Sequence, residues 1–179
     1  LEVELGELLR EIIPCCESVR YSKTGSEVCS AAVRIARTYT GRDVVASQGY
    51  HGWHEWYATT TERDYGIPKG MKDFIETFAY NDIEGLKKIF AKHPNKVACV
   101  IIEPVSVEEP KDNFLEQVRE VCNHYEAVLI FDEIVTGFRI ALGGAQEYYR
   151  VTPDLATFGK GMANGMPLSV VVGKRDIMA

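Results

Sequence analysis

The sequence predicts an α/β fold in which a mainly parallel sheet is flanked by helices. Two continuous apolar runs, "KVACVIIEP" and "AVLIFDE", are typical of strands covered on both faces. The stretch between them, "FLEQVREVCNHYE", has the apolar spacing of a helix, and strands joined by helices form parallel sheets. Because no linker, repeat or low-complexity tract divides the chain, we expect one domain over residues 1–179.

The elements before these strands follow in order along the chain. Apolar positions between residues 3 and 13 form a helical stripe that Pro14 stops, and "SVRYS" then has the character of a short strand. "TGSE" supplies a turn and a Ser cap for a second helix, which Gly41 ends. "DVVAS" is predicted to be the next strand.

The segment from Gly49 to Tyr80 differs from its surroundings. It is weakly periodic and rich in aromatic residues, Thr, Gly and Pro, which predicts a long loop that carries function. Asp82 then caps a helix with Leu86 and Ile89 on its inner face.

Composition narrows the class of function. The net charge of −6 and the pI near 5.3 argue against a nucleic-acid binder, which needs a basic face. We find no apolar run of the roughly 20 residues that span a bilayer, and the acidic start is unlike a signal peptide, so we expect a cytoplasmic protein and no membrane partner. The five cysteines form no CxxC pair and the four histidines lack metal-site spacing, which predicts reduced thiols and no metal site.

Acidic side chains mark the ends of the two apolar runs. Glu103 ends the first and Asp132 ends the second, and ligands collect at the carboxyl edge of such sheets. A buried Asp132 can hold the protonated nitrogen of an aromatic ring. The alternative is that these acids only cap the helices that follow.

Three other features suit the same edge. Gly25 and Ser26 open a helix whose free N–H groups can hold phosphate, although ordinary capping also explains them. "YHGWHEW" offers flat rings that can stack on a heterocycle or simply pack in the core. Lys160, between two glycines, can offer its amine to a carbonyl. A phosphate seat, a stacking ring, a carboxylate and an amine are together complementary to pyridoxal 5′-phosphate (PLP).

Five blocks of the sequence resemble the class III aminotransferases, a fold-type I PLP-dependent family that includes glutamate-1-semialdehyde 2,1-aminomutase. These blocks are "GSEVCSAAVRIARTYTGR", "GYHGWH", "VIIEPV", "LIFDEIVTGFR" and "PDLATFGKGMANGMPLSVVVG". The stretch "TGFRIALGGAQEYY" is particularly similar to the aminomutase. The resemblance implies transfer of an amino group through a lysine Schiff base, with a small amino-acid, amine or aldehyde substrate.

The resemblance also assigns roles to individual residues. Those it implies are Gly25 and Ser26 for the phosphate, Tyr50 on one face of the ring with His51 beside it, Val135 on the other face, Glu103 near the ring hydroxyl, Asp132 on the ring nitrogen and Lys160 as the Schiff-base lysine. The sequence departs from the family at Lys23, where Asn is frequent, and at Val28 and Cys29, which replace a common Ala-Asn pair.

Members of the family are longer and have their site between two subunits. Residues 1–179 therefore look like a single PLP-binding large domain that is truncated at both ends, and a homodimer is expected. The alternative is a catalytically inactive cofactor-domain fragment that acts only as a binding or interaction module. A nucleotide-binding domain is disfavoured because no GxGxxG follows the first strand.

Overall fold

The structure is a computed structural model that describes residues 1–105 and 107–179. Its helices are α1 (Glu2–Ile12), α2 (Gly25–Thr40), α3 (Glu55–Ala58), α4 (Ile83–Lys92), α5 (Phe114–Tyr125), α6 (Ala145–Tyr149) and α7 (Arg175–Met178). Its strands are β1 (Ser18–Ser22), β2 (Val44–Gln48), β3 (Ile75–Thr77), β4 (Val97–Ile102), β5 (Val128–Asp132), β6 (Leu155–Phe158) and β7 (Ser169–Gly173). Two 3₁₀ helices cover Lys69–Phe74 and Lys160–Met162.

The seven strands form one sheet in the order β1-β7-β6-β5-β4-β2-β3. Strands β2 to β6 are joined by parallel pairings, whereas β7 is antiparallel to both of its neighbours. The prediction of a mainly parallel α/β sheet is confirmed. None of the described helices has the length and apolar character needed to cross a lipid bilayer.

Helices cover the sheet on both faces, and the strand side chains divide between two cores. In β4, Val100 and Ile102 belong to the same buried cluster as apolar residues of α1, α4 and α5, while Cys99 and Ile101 belong to the cluster that includes α2. Neighbouring residues of a strand point to opposite faces, so a strand between two cores must be apolar throughout. This is why β4 and β5 could be predicted from uninterrupted apolar runs.

Helix α2 forms where a helix was predicted, but it begins at Gly25 and its cap is not Ser26. Thr24 is the N-cap, and its hydroxyl and the Glu27 side chain form a capping box with each other's backbone N–H groups. Gly41 ends the helix in the left-handed conformation, as predicted. Because Thr24 does the capping, Ser26 lies inside the first turn with its hydroxyl free of that task.

The prediction of a long loop from Gly49 to Tyr80 was wrong in part. The segment contains α3, the 3₁₀ helix Lys69–Phe74 and strand β3, which pairs in parallel with β2. Strand β3 has three residues and only Ile75 is buried, so it leaves almost no periodic signal. Its pairing comes from the free edge of β2 rather than from a pattern of its own.

All five cysteines are free and buried, as predicted for thiols that act as small apolar side chains.

Candidate active site

A cavity of about 390 Å³ lies at the carboxyl edge of the sheet. The ends of β2, β4 and β5, the start of α2 and the segment after β6 all contribute to its wall. The eight residues singled out in the sequence all line this one cavity: Gly25, Ser26, Tyr50, His51, Glu103, Asp132, Val135 and Lys160. Residues up to 135 positions apart along the chain are brought together because parallel strands end at the same edge.

Asp132 is the buried acid of the cavity. It ends β5 and is 4% exposed. Its Oδ1 accepts hydrogen bonds from the Ile134 N–H at 3.1 Å and from the Thr157 hydroxyl at 3.3 Å. The position of the carboxylate is therefore fixed by β6 and by the turn that follows β5.

The other oxygen of Asp132 faces two further side chains. His51 Nδ1 lies 2.7 Å from Asp132 Oδ2, and the Cys29 thiol donates to the same oxygen at 3.3 Å. Burial and the nearby Asp132 carboxylate raise the pKa of Cys29 well above its ordinary value. Cys29 is therefore a neutral thiol donor in this arrangement.

His51 is held in a fixed orientation. Its Nε2 lies 2.9 Å from the Gln48 carbonyl oxygen, which can only accept, so Nε2 carries a proton and donates. The ring stacks on Trp56 with 6.2 Å between centroids and meets the edge of Tyr57 at 5.4 Å. His51 is 1% exposed, so it lies behind Asp132 as a support rather than at the open side of the cavity.

The start of α2 has the geometry of an anion site. The N–H of Glu27 is capped by Thr24, and the N–H of Val28 donates to the Thr24 carbonyl. Among the described residues, the backbone N–H groups of Gly25 and Ser26 have no partner, as expected for the first turn of a helix. The Ser169 hydroxyl donates to the Thr24 carbonyl at 2.9 Å and ties this turn to β7.

Gly52 allows the aromatic segment to approach this turn closely. Its φ is +99°, and a Cβ atom there would lie 2.2 Å from the Ser26 hydroxyl oxygen and 2.9 Å from the Ser26 Cα. Any larger residue would push the backbone away from the helix start.

Glu103 holds the segment after β2 in place. Its Oε2 accepts a hydrogen bond from the Tyr50 N–H at 3.0 Å, and the ring of Tyr50 meets Tyr57 edge-on at 5.6 Å. Tyr50 is 61% exposed, so much of its ring is open to a ligand. Gly49 has a φ of +98°, and a Cβ atom there would lie 2.6 Å from Glu103 Oε2.

Lys160 and Val135 form the exposed side of the cavity. Lys160 follows β6 with a φ of +37°, an unusual conformation for a residue with a side chain, and begins a 3₁₀ turn. A Cβ atom on the preceding Gly159 would lie 3.1 Å from the side chain of Ile134. Gly159 therefore lets the lysine segment pack against the turn that follows Asp132.

Seven residues of the cavity wall were not assigned to the site from the sequence. They are Lys23, Cys29, Gly52, Ile134, Gly159, Met166 and Leu168. Cys29 could have been found, because it lies one helical turn after Ser26 on the same face of α2. Thr157 could not, since its role depends on the register between β5 and β6.

Comparison with known proteins finds aminotransferases, both as a matching family and as a similar protein. The family described as aminotransferase class-III matches residues 2–179. The 3-aminobutyryl-CoA aminotransferase of Cloacimonas acidaminovorans (strain Evry) is 48% identical over 180 residues, which cover 97% of this chain and 43% of that protein.

Two solved structures share the fold. An omega-transaminase from Sphaerobacter thermophilus superposes with a TM-score of 0.89 at 31% identity, over 99% of this chain and 45% of that chain. A transaminase solved with PLP bound gives a TM-score of 0.92 at 31% identity, with the same coverage. The present chain thus spans less than half the length of the proteins it matches.

Proposed function

The chain belongs to the class III aminotransferases, and from this we propose that it forms the PLP-binding large domain, over residues 1–179, of an enzyme that transfers an amino group. One observation carries the proposal. The eight residues that the family resemblance assigns to PLP line a single cavity.

The side chains present suit the cofactor in kind as well as in place. Free N–H groups at Gly25 and Ser26 suit a phosphate group. Asp132 is a buried carboxylate, which suits the protonated nitrogen of a pyridine ring. The amine of Lys160 suits an aldehyde, and it faces the same space.

Two more residues would hold the ring between them. The open ring of Tyr50 offers one flat surface, and Val135 offers an aliphatic side chain that is 45% exposed. Glu103 would lie near the ring hydroxyl, where it also fixes the Tyr50 backbone. His51 would act through Asp132, whose carboxylate it orients.

When bound, PLP supplies an electron sink that stabilises the charge left as a substrate Cα loses its proton. The chain's own contribution is to position groups around that reaction. Asp132 would hold the protonated ring nitrogen, and the Lys160 amine, on the wall of the same cavity, would take up the proton that the substrate loses and give it back. The apolar walls from Ile134 and Leu168 reduce the access of water to this proton transfer.

The relatives suggest the kind of substrate to test first. The three relatives compared in the previous subsection are an aminotransferase and two transaminases, which favours transfer between two molecules over an aminomutase reaction. The 48% identity to a 3-aminobutyryl-CoA aminotransferase makes a 3-amino acyl thioester the first candidate amino donor.

The proposal is tested by reducing the bound cofactor so that it stays covalently attached to its lysine. Purified protein is incubated with PLP, reduced with borohydride, digested and analysed by mass spectrometry. We expect the phosphopyridoxyl group on Lys160, and its loss in Lys160→Ala but not in Lys87→Ala, which removes an exposed lysine of α4. Labels spread over surface lysines, or unchanged labelling in Lys160→Ala, would refute the assignment.

An assay of amino-group transfer distinguishes an active enzyme from a catalytically inactive cofactor-domain fragment. Protein that carries the Lys160 label and deaminates an amino donor in the presence of a keto acceptor has the proposed activity. Protein that carries the label without turnover with any donor in a panel of amino acids, amines and 3-amino thioesters is a cofactor-binding module only.

A further inference from the structure

A second ligand chemistry is built into the wall of the same cavity. Cys29, His51 and Asp132 are all buried, and their ligand atoms lie within 4.8 Å of one another. We propose that these three side chains bind a zinc-like divalent cation when Asp132 is not engaged by the cofactor, so that metal and PLP exclude each other. The exclusion rests on the proposed function, whereas the metal site itself does not.

The ligand set selects the class of metal. A thiolate, an imidazole and a carboxylate together suit Zn²⁺ and its borderline neighbours, whereas Mg²⁺ and Ca²⁺ take all-oxygen sites. Three protein ligands leave one position of a tetrahedron for water. The 390 Å³ cavity, which all three residues line, supplies both the entry path and room for that water.

The second layer of contacts is already that of a metal site. A histidine that binds metal through one ring nitrogen usually donates its other N–H to a carbonyl or carboxylate. His51 does this through Nε2, which donates to the Gln48 carbonyl and leaves Nδ1 directed at Asp132. The Ile134 N–H and the Thr157 hydroxyl hold the other oxygen of Asp132, so Oδ2 faces the cluster.

The distances require only a small adjustment. Nδ1 of His51 lies 2.7 Å from Asp132 Oδ2, and Cys29 Sγ lies 3.3 Å from the same oxygen. Ligands of tetrahedral zinc, with bonds of about 2.0–2.3 Å, lie about 3.3–3.5 Å apart. The cation would replace the protons that these atoms now share, and the side chains would open by roughly half an ångström.

Cys29 is a ligand that the common pattern of the family lacks. The resemblance described above places a common asparagine at this position. Asparagine lacks the thiol that favours a zinc-like ion, so the departure at Cys29 adds the ligand that completes the set.

Direct binding is measured with Co²⁺ as a spectroscopic probe. Cofactor-free protein is titrated with Co²⁺, and the sulfur-to-cobalt charge-transfer absorption is recorded. We expect one equivalent to bind, Zn²⁺ to displace it, and Cys29→Ser to lose the charge-transfer band and weaken binding by about tenfold or more. The control is Cys16→Ser, which can keep the hydrogen bond of Cys16 to the Ser18 carbonyl and should retain the band.

Each other outcome overturns the site. A band that persists in Cys29→Ser would place the metal on another of the five thiols, and a band that disappears in Cys16→Ser would place it at the adjacent Cys15 and Cys16. No band at all in folded protein would mean that the cluster does not bind the cation.

Competition tests the exclusion separately. Protein loaded with Zn²⁺ should bind PLP more weakly, measured by the absorbance of bound cofactor, and Cys29→Ser should be insensitive to Zn²⁺. PLP binding that is unaffected by bound Zn²⁺ would refute the exclusion. Metal binding by a protein that never binds PLP would instead refute the proposed function and leave the metal site standing.

Discussion

At position 52 two separate constraints require glycine. The backbone has a φ of +99°, and a Cβ atom would lie 2.2 Å from the Ser26 hydroxyl oxygen. We expect Gly52→Ala to lower the free energy of unfolding by more than the roughly 1–3 kcal/mol of backbone strain alone, and to weaken PLP binding because the helix start is displaced. Urea unfolding and a PLP titration measure the two effects.

Gly66 is the matched control for this prediction. It has a φ of +81°, yet a Cβ atom there would meet nothing within 4 Å. Gly66→Ala therefore introduces the backbone strain of a positive φ without a steric clash at the new Cβ atom, and we expect PLP binding to be retained. Equal loss of PLP affinity in the two variants would mean that the close approach of Gly52 to Ser26 is unimportant.

The predictability of single residues depended on how each makes its contacts. Asp132 and Lys160 stand out because an acid after a buried strand and a lysine between glycines are unusual in a linear pattern. The hydrogen bonds of Cys29, His51 and Thr157 to Asp132 join residues from three other segments, and no spacing within one element records them. The positive φ of Lys160 was equally invisible, since it is imposed by packing of the lysine segment.

Among the elements, α2 connects stability to the site most directly. Thr24 accepts the Glu27 N–H, and the hydrogen bonds to Glu27 from the Ser22 hydroxyl and the backbone N–H groups of Thr24 and Lys23 lower the pKa of that carboxyl to about 2. We expect Thr24→Ala to cost about 1 kcal/mol in thermal or urea unfolding and Thr24→Ser to restore it.

Ser26 separates capping from ligand binding in the same turn. Because Thr24 is the cap, Ser26→Ala should leave the free energy of unfolding nearly unchanged while it weakens the binding of PLP. If Ser26→Ala instead destabilised the protein as much as Thr24→Ala, the assignment of the cap to Thr24 would be wrong.

Elements were predictable where burial left a pattern. The central strands β4 and β5 are buried at every position, and α2 carries a clear apolar face. Strand β3 was missed because its pairing with β2 defines it. The antiparallel place of β7 between β1 and β6 could not be predicted, because burial indicates which residues form a strand but not the direction in which that strand enters the sheet.

On the scale of the whole molecule, the edge of the sheet opposite the cavity is tied together by charge. Asp154, just before β6, accepts from Arg119 at 2.8 Å, from Lys174 at 2.6 Å and from the Leu129 N–H at 2.8 Å. Burial alone would raise the pKa of Asp154, but the ion pair with Arg119 and the other hydrogen bonds outweigh it and hold the pKa below its ordinary value.

Loss of this carboxylate should destabilise the fold without changing the site. We expect Asp154→Asn to cost roughly 3 kcal/mol near neutral pH, because it leaves Arg119 and Lys174 without their buried partner. PLP should still bind to the folded fraction, since Asp154 lies at the other end of the strands. Asp176→Asn, at an exposed acid nearby, should be close to neutral.

The same group fixes the sign of a pH effect. A folded-state pKa below the ordinary 3.8 means that the carboxylate stabilises the fold above that pH, and that this contribution is lost as the pH falls through the lowered value. The difference in free energy of unfolding between wild type and Asp154→Asn should therefore begin to shrink as the pH falls below about 3.8, and it should vanish below the lowered folded-state pKa. A constant difference between them down to pH 2 would contradict the assigned pKa direction.

The pairing of β1 with β7 has a consequence for how the molecule is made. The ribosome releases β1 before the other described strands, yet among those strands β1 pairs only with Ser169–Gly173, which is synthesised last of the seven. Until that strand is synthesised, β1 lacks its partner in the sheet, whereas β2, β4 and β5 can already pair with one another. Of the described strands, the first to be translated is thus among the last to be paired, and until Ser169–Gly173 follows it the backbone of β1 is open to edge-to-edge association.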